Sequence, residues 1–498
     1  MGRHTGNFLL GTVFLSAAFL FAMSHSTTES AIREHRDGFQ QRTLTAGRAS
    51  AHDSVLAPGH YSDVQPQQFT VVRQIPSGSR IVIGSLDVSG ARHRVSVKVA
   101  NAIVDENGEQ SDWLPVYRCS ASEVQQHRLQ RHYLSQKQNE SLFRENCSDT
   151  TLQSRIFLTP HFCDAGVVHE AVECQNLGES QRVRVYADRR SVRDLDAKFF
   201  CAAMLQRLST AVETRALPIV EEWIGEVADI DRDHKLSIVV TDLDRHSVPS
   251  AEHTPIQGCI RETDFRGNSD FCGDIVYVDP GILALPASEQ AALLTHELTH
   301  AAICSMSHSK MAESDGHTAS GFRNPELQQV PAWLNEAISH FAELKCCEES
   351  QNFQRRIDHF LADSSQSPIV AVESVLSLQA RRAGSRCAAT WFLSQYFSSP
   401  QAVRQFLESS EISLDRRIAG ISAQPFDLAF RQWTLSMATT DSDRPALRTM
   451  RLHVTDPPSQ FSLLGTAFVC IECPAAATTV TIEADTTAQL QVSVLECQ

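Results

Sequence analysis

The chain is short of positive charge. Its 498 residues include 44 Lys and Arg against 59 Asp and Glu, which gives a net charge of −15. A protein that binds nucleic acid through phosphate contacts needs the opposite balance, so the sequence predicts no nucleic-acid partner. No segment after residue 26 reaches about eighteen uninterrupted apolar residues, which excludes further membrane spans. No repeat with a period of about 20 to 50 residues is found, which excludes solenoids and propellers.

The N-terminus has the layout of a secretory signal peptide. Arg3 lies in a short polar start, and an apolar run follows from Phe8 to Met23. Residues 1–24 are therefore predicted to be a signal peptide, with an uncleaved N-terminal anchor as the alternative. The protein is then expected to be secreted, periplasmic or at the cell surface.

Fourteen cysteines behind an export signal indicate disulfide bonds, because exported proteins meet an oxidising compartment. Cys259 and Cys272 bracket a short polar loop and are predicted to pair. Cys470 and Cys473 form a single CxxC motif. A zinc knuckle requires a second pair of ligands nearby, so a local disulfide or a buried thiol is favoured there.

Hydrophobic patterning changes along the chain and predicts an α+β protein. Residues 25–60 are polar and are expected to be a linker or pro-segment. Short β-branched runs alternate with turns over residues 61–195, which predicts a β-rich domain. Helical spacing dominates residues 196–440, with two strands among the helices. Residues 441–498 return to short strands and predict a small C-terminal β-domain.

The strongest chemical motif is His-Glu-Leu-Thr-His at residues 296–300. On a helix, positions i and i+4 share one face, so His296 and His300 can bind one metal ion, and Glu297 lies beside them. The alternative is a solvated helix with two surface histidines. The surrounding residues are mostly apolar, and a buried helix does not carry such polar side chains without a partner.

A third metal ligand is expected from a second helix. Residues 331–343 form an apolar stretch that contains Glu336. A catalytic zinc commonly takes three protein ligands and leaves the fourth position to water, so Glu336 is predicted as the third ligand. Three other carboxylates are alternatives: Glu343, Glu348 and Asp315.

The two motifs together resemble those of the gluzincin zinc metallopeptidases, the thermolysin-like clan, and are most similar to its hyicolysin-type neutral metalloprotease family. In that clan one helix carries His-Glu-x-x-His, and a later helix carries Asn-Glu with the third ligand. The order LSIVVTDLD, a polar loop and IVYVD before the first motif also follows this family. The resemblance covers about residues 185–440. It implies a gluzincin catalytic domain, a small sheet with a helical bundle, between two β-rich regions.

The resemblance also implies an activity, that of an exported endopeptidase acting on proteins or peptides. His296, His300 and Glu336 would bind Zn²⁺, and Glu297 would be the general base that takes a proton from zinc-bound water. The strand at residues 273–280 would form the cleft edge, where an extended peptide adds. Alternatives are a catalytically impaired relative, an aminopeptidase of the clan, whose Gly-x-Met-x-Asn motif is missing, and an adhesion or carbohydrate-binding protein.

Two positions depart from the clan's pattern. His340 replaces the carboxylate that orients a zinc histidine, which leaves Glu343 and Asp242 as alternatives for that role. Cys387 stands where related helices often have the tyrosine that stabilises the oxyanion. The remaining candidates for that second role are Tyr396, Arg386 and His340.

An Asp-x-Asp-x-Asp run at residues 229–233 has the carboxylate spacing of a calcium loop. An EF-hand requires Gly at its sixth position and Glu at its twelfth, and these positions are His234 and Val240 here. The sequence therefore excludes an EF-hand and favours a simple acidic turn, with Ca²⁺ binding as the alternative.

Overall fold

The computed structural model describes much of the chain after residue 53. The described residues are 54–56, 61–64, 69–75, 79–101, 154–163, 166–188, 190, 205–244, 256–266, 271–315, 330–371, 379–409, 411, 413–422, 424–439, 447–452, 458–474, 478–485 and 488–495. The predicted signal peptide and most of the predicted linker lie outside this part.

The described chain contains both helices and strands, which confirms the α+β class. The strands are β1 Ser54–Leu56, β2 Tyr61–Val64, β3 Phe69–Ile75, β4 Arg80–Ser85, β5 Arg92–Asn101, β6 Ser154–Cys163, β7 Gly166–Glu179, β8 Val183–Asp188, β9 Leu236–Val240, β10 Gly258–Ile260, β11 Ile275–Val278, β12 Met450–Arg451, β13 Ser459–Leu464, β14 Phe468–Glu472, β15 Thr478–Ala484 and β16 Leu490–Leu495. The helices are α1 Leu217–Trp223, α2 Ala287–Asp315, α3 Ala332–Cys346, α4 Gln351–Ala362, α5 Gln379–Ser394, α6 Pro400–Glu408, α7 Leu414–Ser422 and α8 Phe426–Ala438. No described helix combines the length and apolar character that crossing a bilayer requires.

Strands from early and late in the sequence form a β-sandwich. Its two sheets have the orders β1-β3-β15-β5-β13 and β12-β14-β4-β16-β2. Ile83 lies opposite Val469 in one sheet, and Val97 lies opposite Ile482 in the other. These four side chains share one buried core. The strands expected in separate N-terminal and C-terminal β-domains therefore pair with each other.

A second sheet has the order β10-β11-β9-β8-β7-β6. Strands β8, β9 and β11 are parallel, and β6, β7 and β10 add in antiparallel fashion. Residues 154–188, which the sequence grouped with the first β-rich region, thus extend the sheet that precedes the histidine motif. The sequence predicted strands at β8, β9 and β11, but hydrophobic alternation carries no information on the partners of a strand.

The helices pack against this sheet in the largest core. Leu294 and Leu298 of α2 are fully buried there, together with Val276 and Val278 of β11. Burying such a side chain contributes roughly 1.5–3 kcal/mol, so α2 is firmly seated on the sheet. The sandwich joins the same core through Gly84 of β4: a Cβ at this position would lie 2.7 Å from the Phe430 ring of α8, so the close approach requires glycine.

No two cysteines among the described residues lie at disulfide distance, so the predicted Cys259–Cys272 bond is not formed in this structure. Strand β10 holds Cys259 opposite Tyr277, whereas the Cys272 thiol lies 3.7 Å from the Thr263 carbonyl oxygen. Cys470 and Cys473 are both buried and are not joined to each other. Four further cysteines lie outside the described residues: Cys119, Cys147, Cys201 and Cys497.

Candidate metal centre

Helix α2 presents the histidine motif at a buried position. Its start is fixed by Gln290, whose side-chain amide donates to the carbonyl groups of Ile282 and Leu285 at 3.0 and 3.1 Å. With Leu294 and Leu298 facing the sheet, residues 296, 297 and 300 project from a different side of the helix. His296 and Glu297 are only 7% and 5% exposed.

Helix α3 packs against α2 and supplies the facing side chains. It begins after Pro331, whose fixed φ suits a helix start. Glu336, His340 and Glu343 follow at spacings of four and three residues and therefore lie on one face. His340 and Glu343 are fully buried.

His296, His300 and Glu336 converge as the sequence predicted. The two Nε2 atoms lie 3.1 Å apart, and His296 Nε2 lies 3.7 Å from Glu336 Oε2. One ligand atom of each residue lies within 4.8 Å of the others. Zinc bonds of about 2.0–2.1 Å at tetrahedral angles place ligand atoms roughly 3.3 Å apart, so the spacing fits. Glu336 Oε2 is buried and has no hydrogen-bond partner among the described residues. The group could therefore bind a metal ion.

The other ring nitrogen of each histidine faces an acceptor. His300 Nδ1 lies 2.8 Å from Asn335 Oδ1 and 3.1 Å from the Ser339 hydroxyl. His296 Nδ1 lies 3.3 Å from Glu343 Oε2. An amide oxygen can only accept, so His300 Nδ1 carries the proton and the lone pair of His300 Nε2 is free for a metal ion. His296 Nδ1 lies near the Glu343 carboxylate but forms no hydrogen bond among the described residues.

Of the two carboxylates that the sequence left as alternatives, Glu343 is the one whose carboxylate lies beside His296 and His340. Its carboxylate contacts both His296 and His340, the latter at 2.7 Å, and accepts hydrogen bonds from Ser350 and Asn352. The carbonyl of Asp242 instead accepts from His161. Glu343 reaches α2 because it stands two helical turns after Glu336, on the same face of α3.

A second group of potential ligands overlaps the first. His296, His340 and Glu343 also bring ligand atoms within 4.8 Å of one another. His340 Nδ1 is already bonded to Glu343, however, and His340 Nε2 lies 4.0 Å from Glu336 Oε2. We therefore favour His296, His300 and Glu336 as the ligands, with Glu343 and His340 behind them.

The three potential ligands differ in their electrostatics. Burial opposes protonation of His296, but the Glu343, Glu297 and Glu336 carboxylates outweigh burial and raise the pKa of this imidazole. Burial lowers the pKa of His300 to about 4, and the nearby His296 adds to this effect. Burial opposes ionisation of Glu336, but Arg386, His300 and His296 hold its pKa far below the usual range. At neutral pH His300 is thus neutral and Glu336 is charged.

Glu297 has a different environment. Burial raises its pKa to about 7; His296 opposes this change, and the Glu336 and Glu343 carboxylates reinforce it. An ideal Cβ on Gly258 would lie 2.9 Å from Glu297 Cγ and 3.0 Å from Oε1, so β10 passes directly beside this carboxyl group. A larger residue at position 258 would therefore displace the Glu297 side chain.

The edge strand of the sheet beside Glu297 is β10, and not the predicted strand at 273–280. Strand β11, which lies within that segment, is paired on both sides, with β9 and β10. Among the described strands, β10 pairs only with β11. The three residues Gly258–Ile260 were assigned to a polar loop in the sequence, because so short a strand has no readable alternation.

The three oxyanion candidates are placed differently. Arg386 lies at the centre, with Nη2 2.9 Å from Glu336 Oε1 and a side chain that is 36% exposed. His340 is fully buried behind Glu336, which leaves it out of reach of a substrate. Tyr396 packs its ring on Phe392, and burial raises its pKa to about 12, as expected of a core aromatic.

Sequence reasoning missed Asn335, Ser339 and Gly258 as parts of the centre. Asn335 directly precedes Glu336, and the Asn-Glu pair was the signal that could have identified it. No family model matches the chain, and no curated protein matches it either. The gluzincin family therefore stays a resemblance carried by the motif pair.

Proposed function

We propose that this protein is an exported zinc-dependent endopeptidase of the gluzincin type. The observation that carries the proposal is the convergence of His296, His300 and Glu336, with the far nitrogen of His300 bonded to Asn335 and that of His296 lying 3.3 Å from the Glu343 carboxylate. Two imidazole nitrogens and one carboxylate are a donor set typical of catalytic zinc. The apolar run after Phe8 supports export.

A zinc ion held by these residues supplies a Lewis acid that polarises a peptide carbonyl and acidifies water. The chain itself supplies the proton transfer. Glu297 has a pKa of about 7, so near neutral pH its carboxyl group can both accept a proton and return it to a leaving amine. Arg386 is partly exposed and lies 2.9 Å from Glu336 Oε1, and it is our candidate for stabilising negative charge on the substrate oxygen.

The substrate class follows from the edge strand. An edge strand offers unpaired backbone N–H and C=O groups, which an extended peptide can pair with. Strand β10 carries Gly258, which touches Glu297, so a peptide added to β10 would pass the general base. A peptide bond in mid-chain is therefore the expected target.

The test is casein hydrolysis combined with zinc analysis, comparing the unaltered protein with Glu297→Gln. We expect the variant to retain zinc and to lose activity by about 10²–10⁴-fold, the usual contribution of a general base. The control is Glu348→Gln, which changes an exposed glutamate just after α3.

Two results would count against the proposal. Hydrolysis that persists in Glu297→Gln would show that Glu297 is not the general base. A zinc-loaded unaltered protein that cleaves no protein or peptide would favour the catalytically impaired relative instead.

A further inference from the structure

A second cluster of carboxylates lies away from the histidines, in the loop between α1 and β9. Asp229, Asp231 and Asp233 bring one oxygen each within 4.8 Å of the others. Arg232 and His234 have φ values of 60° and 59°, and these left-handed residues turn the loop around its centre. His234 holds the sixth position of the loop, where an EF-hand uses glycine for the same purpose.

A fourth carboxylate comes from outside the loop. Asp274 directly precedes β11 and is only 5% exposed, and its Oδ1 has no hydrogen-bond partner among the described residues. The adjacent Gly273 backbone lies against the loop, since a Cβ there would be 3.2 Å from Asp231 Oδ2. Burial raises the pKa of Asp274 to about 7, and repulsion from Asp231, Asp229 and Asp233 adds to the effect.

Asp231 also has an oxygen without a partner. Its Oδ2 pairs with Arg155 at 2.9 Å, while its Oδ1 is buried and unbonded among the described residues. A buried carboxylate oxygen without a partner is costly, and two of them beside one cluster point to a cation between them.

The charge balance indicates a divalent ion. With all four carboxylates ionised, as a bound cation requires, the group carries four negative charges, and two guanidinium groups face it: Arg155 on Asp231 and Arg184 on Asp233. His234 Nδ1 lies 2.9 Å from Asp229 Oδ2 on an exposed ring, and Lys235 is engaged with Glu179. Two negative charges are therefore left without a fixed counter-charge.

We propose that Asp229, Asp231, Asp233 and Asp274 form a calcium site. Oxygen-only ligands in an irregular loop suit Ca²⁺, whereas zinc prefers nitrogen and sulfur, and Mg²⁺ demands a stricter octahedron. Asp274, directly before β11, takes the place of the Glu that an EF-hand has at its twelfth position. The bound ion joins the start of β9 to the start of β11 and so stabilises the sheet that has β10 at one edge.

The test is isothermal titration of the full-length, zinc-loaded protein with CaCl₂. We expect one calcium per chain with a dissociation constant of roughly 0.1–1 mM, as in extracellular modules. Asp274→Asn and Asp231→Asn should each weaken binding at least about tenfold. The matched control Asp358→Asn, on the exposed face of α4, should bind as the unaltered protein does.

Three outcomes would overturn the site. The first is no calcium binding by the unaltered protein up to about 10 mM, well above the expected range. The second is equal binding by the Asp274→Asn variant. The third is calcium binding that Glu336→Ala abolishes and Asp274→Asn leaves intact, which would place the ion among the histidines.

Discussion

Replacing Glu343 with glutamine tests the layer behind the metal ligands. The change keeps the side-chain shape but removes the charge that faces His296 and His340, at 3.3 and 2.7 Å. The amide also brings donor hydrogens into a site where Ser350 and Asn352 already donate. One of these contacts must therefore be lost or reversed.

The magnitude follows from what is lost. A hydrogen bond to a buried charged group contributes about 1.5–3 kcal/mol to stability, so we expect Glu343→Gln to lower the free energy of unfolding by about that amount. Losing the group that orients a histidine ligand typically weakens metal binding about 10–100-fold. We expect zinc affinity to fall within that range, because the His296 ring loses the negative charge that lies 3.3 Å from its Nδ1.

The assay is zinc competition with a chromogenic chelator at neutral pH, with urea denaturation of the same samples. Glu348→Gln, an exposed glutamate five residues along the chain, is the matched control and should change neither quantity. A zinc affinity within about twofold of the unaltered protein in Glu343→Gln would refute the orienting role of this carboxylate.

Two further changes probe the surroundings of the centre. Gly258→Ala places a Cβ about 3 Å from the Glu297 carboxyl group. We expect the variant to fold and to keep its zinc, and kcat for casein to fall at least about tenfold. An unchanged kcat would show that β10 does not influence the reaction. Asp264 is fully buried, and burial outweighs Arg261 and raises its pKa from 3.8 to about 7. The native state therefore holds an extra proton between these values, so this group makes stability fall as pH rises from about 4 to about 7, by up to roughly 4 kcal/mol. Asp264→Asn should flatten that slope in urea denaturation at pH 5 and pH 8, and an equally steep slope would contradict the assignment.

The candidate metal ligands could be predicted from the sequence because the two histidines lie close together in it. His296 and His300 lie one helical turn apart, and their apolar flanks predicted a buried helix. Glu336 followed from an apolar context and from the family resemblance. Choosing between Glu343 and Asp242 required the packing of α3 on α2, which no local pattern encodes.

Long-range strand pairing was not accessible. Alternation identified segments such as residues 79–88 and 478–484 as strands, but their partners lie hundreds of residues away. The cost of closing such loops grows only slowly with length, so separation in sequence does not reveal pairing. Strand β10 was not predicted for a different reason, since three residues are too few to show a period.

We propose above all that His296, His300 and Glu336 hold one zinc ion. Metal analysis of the purified chain tests it directly, with Glu336→Ala and His340→Ala measured beside the unaltered protein. We expect about one zinc per chain in the unaltered protein, loss of zinc in Glu336→Ala and retention in His340→Ala. Full zinc occupancy in Glu336→Ala, with loss in His340→Ala, would instead place the ion in the group formed by His296, His340 and Glu343.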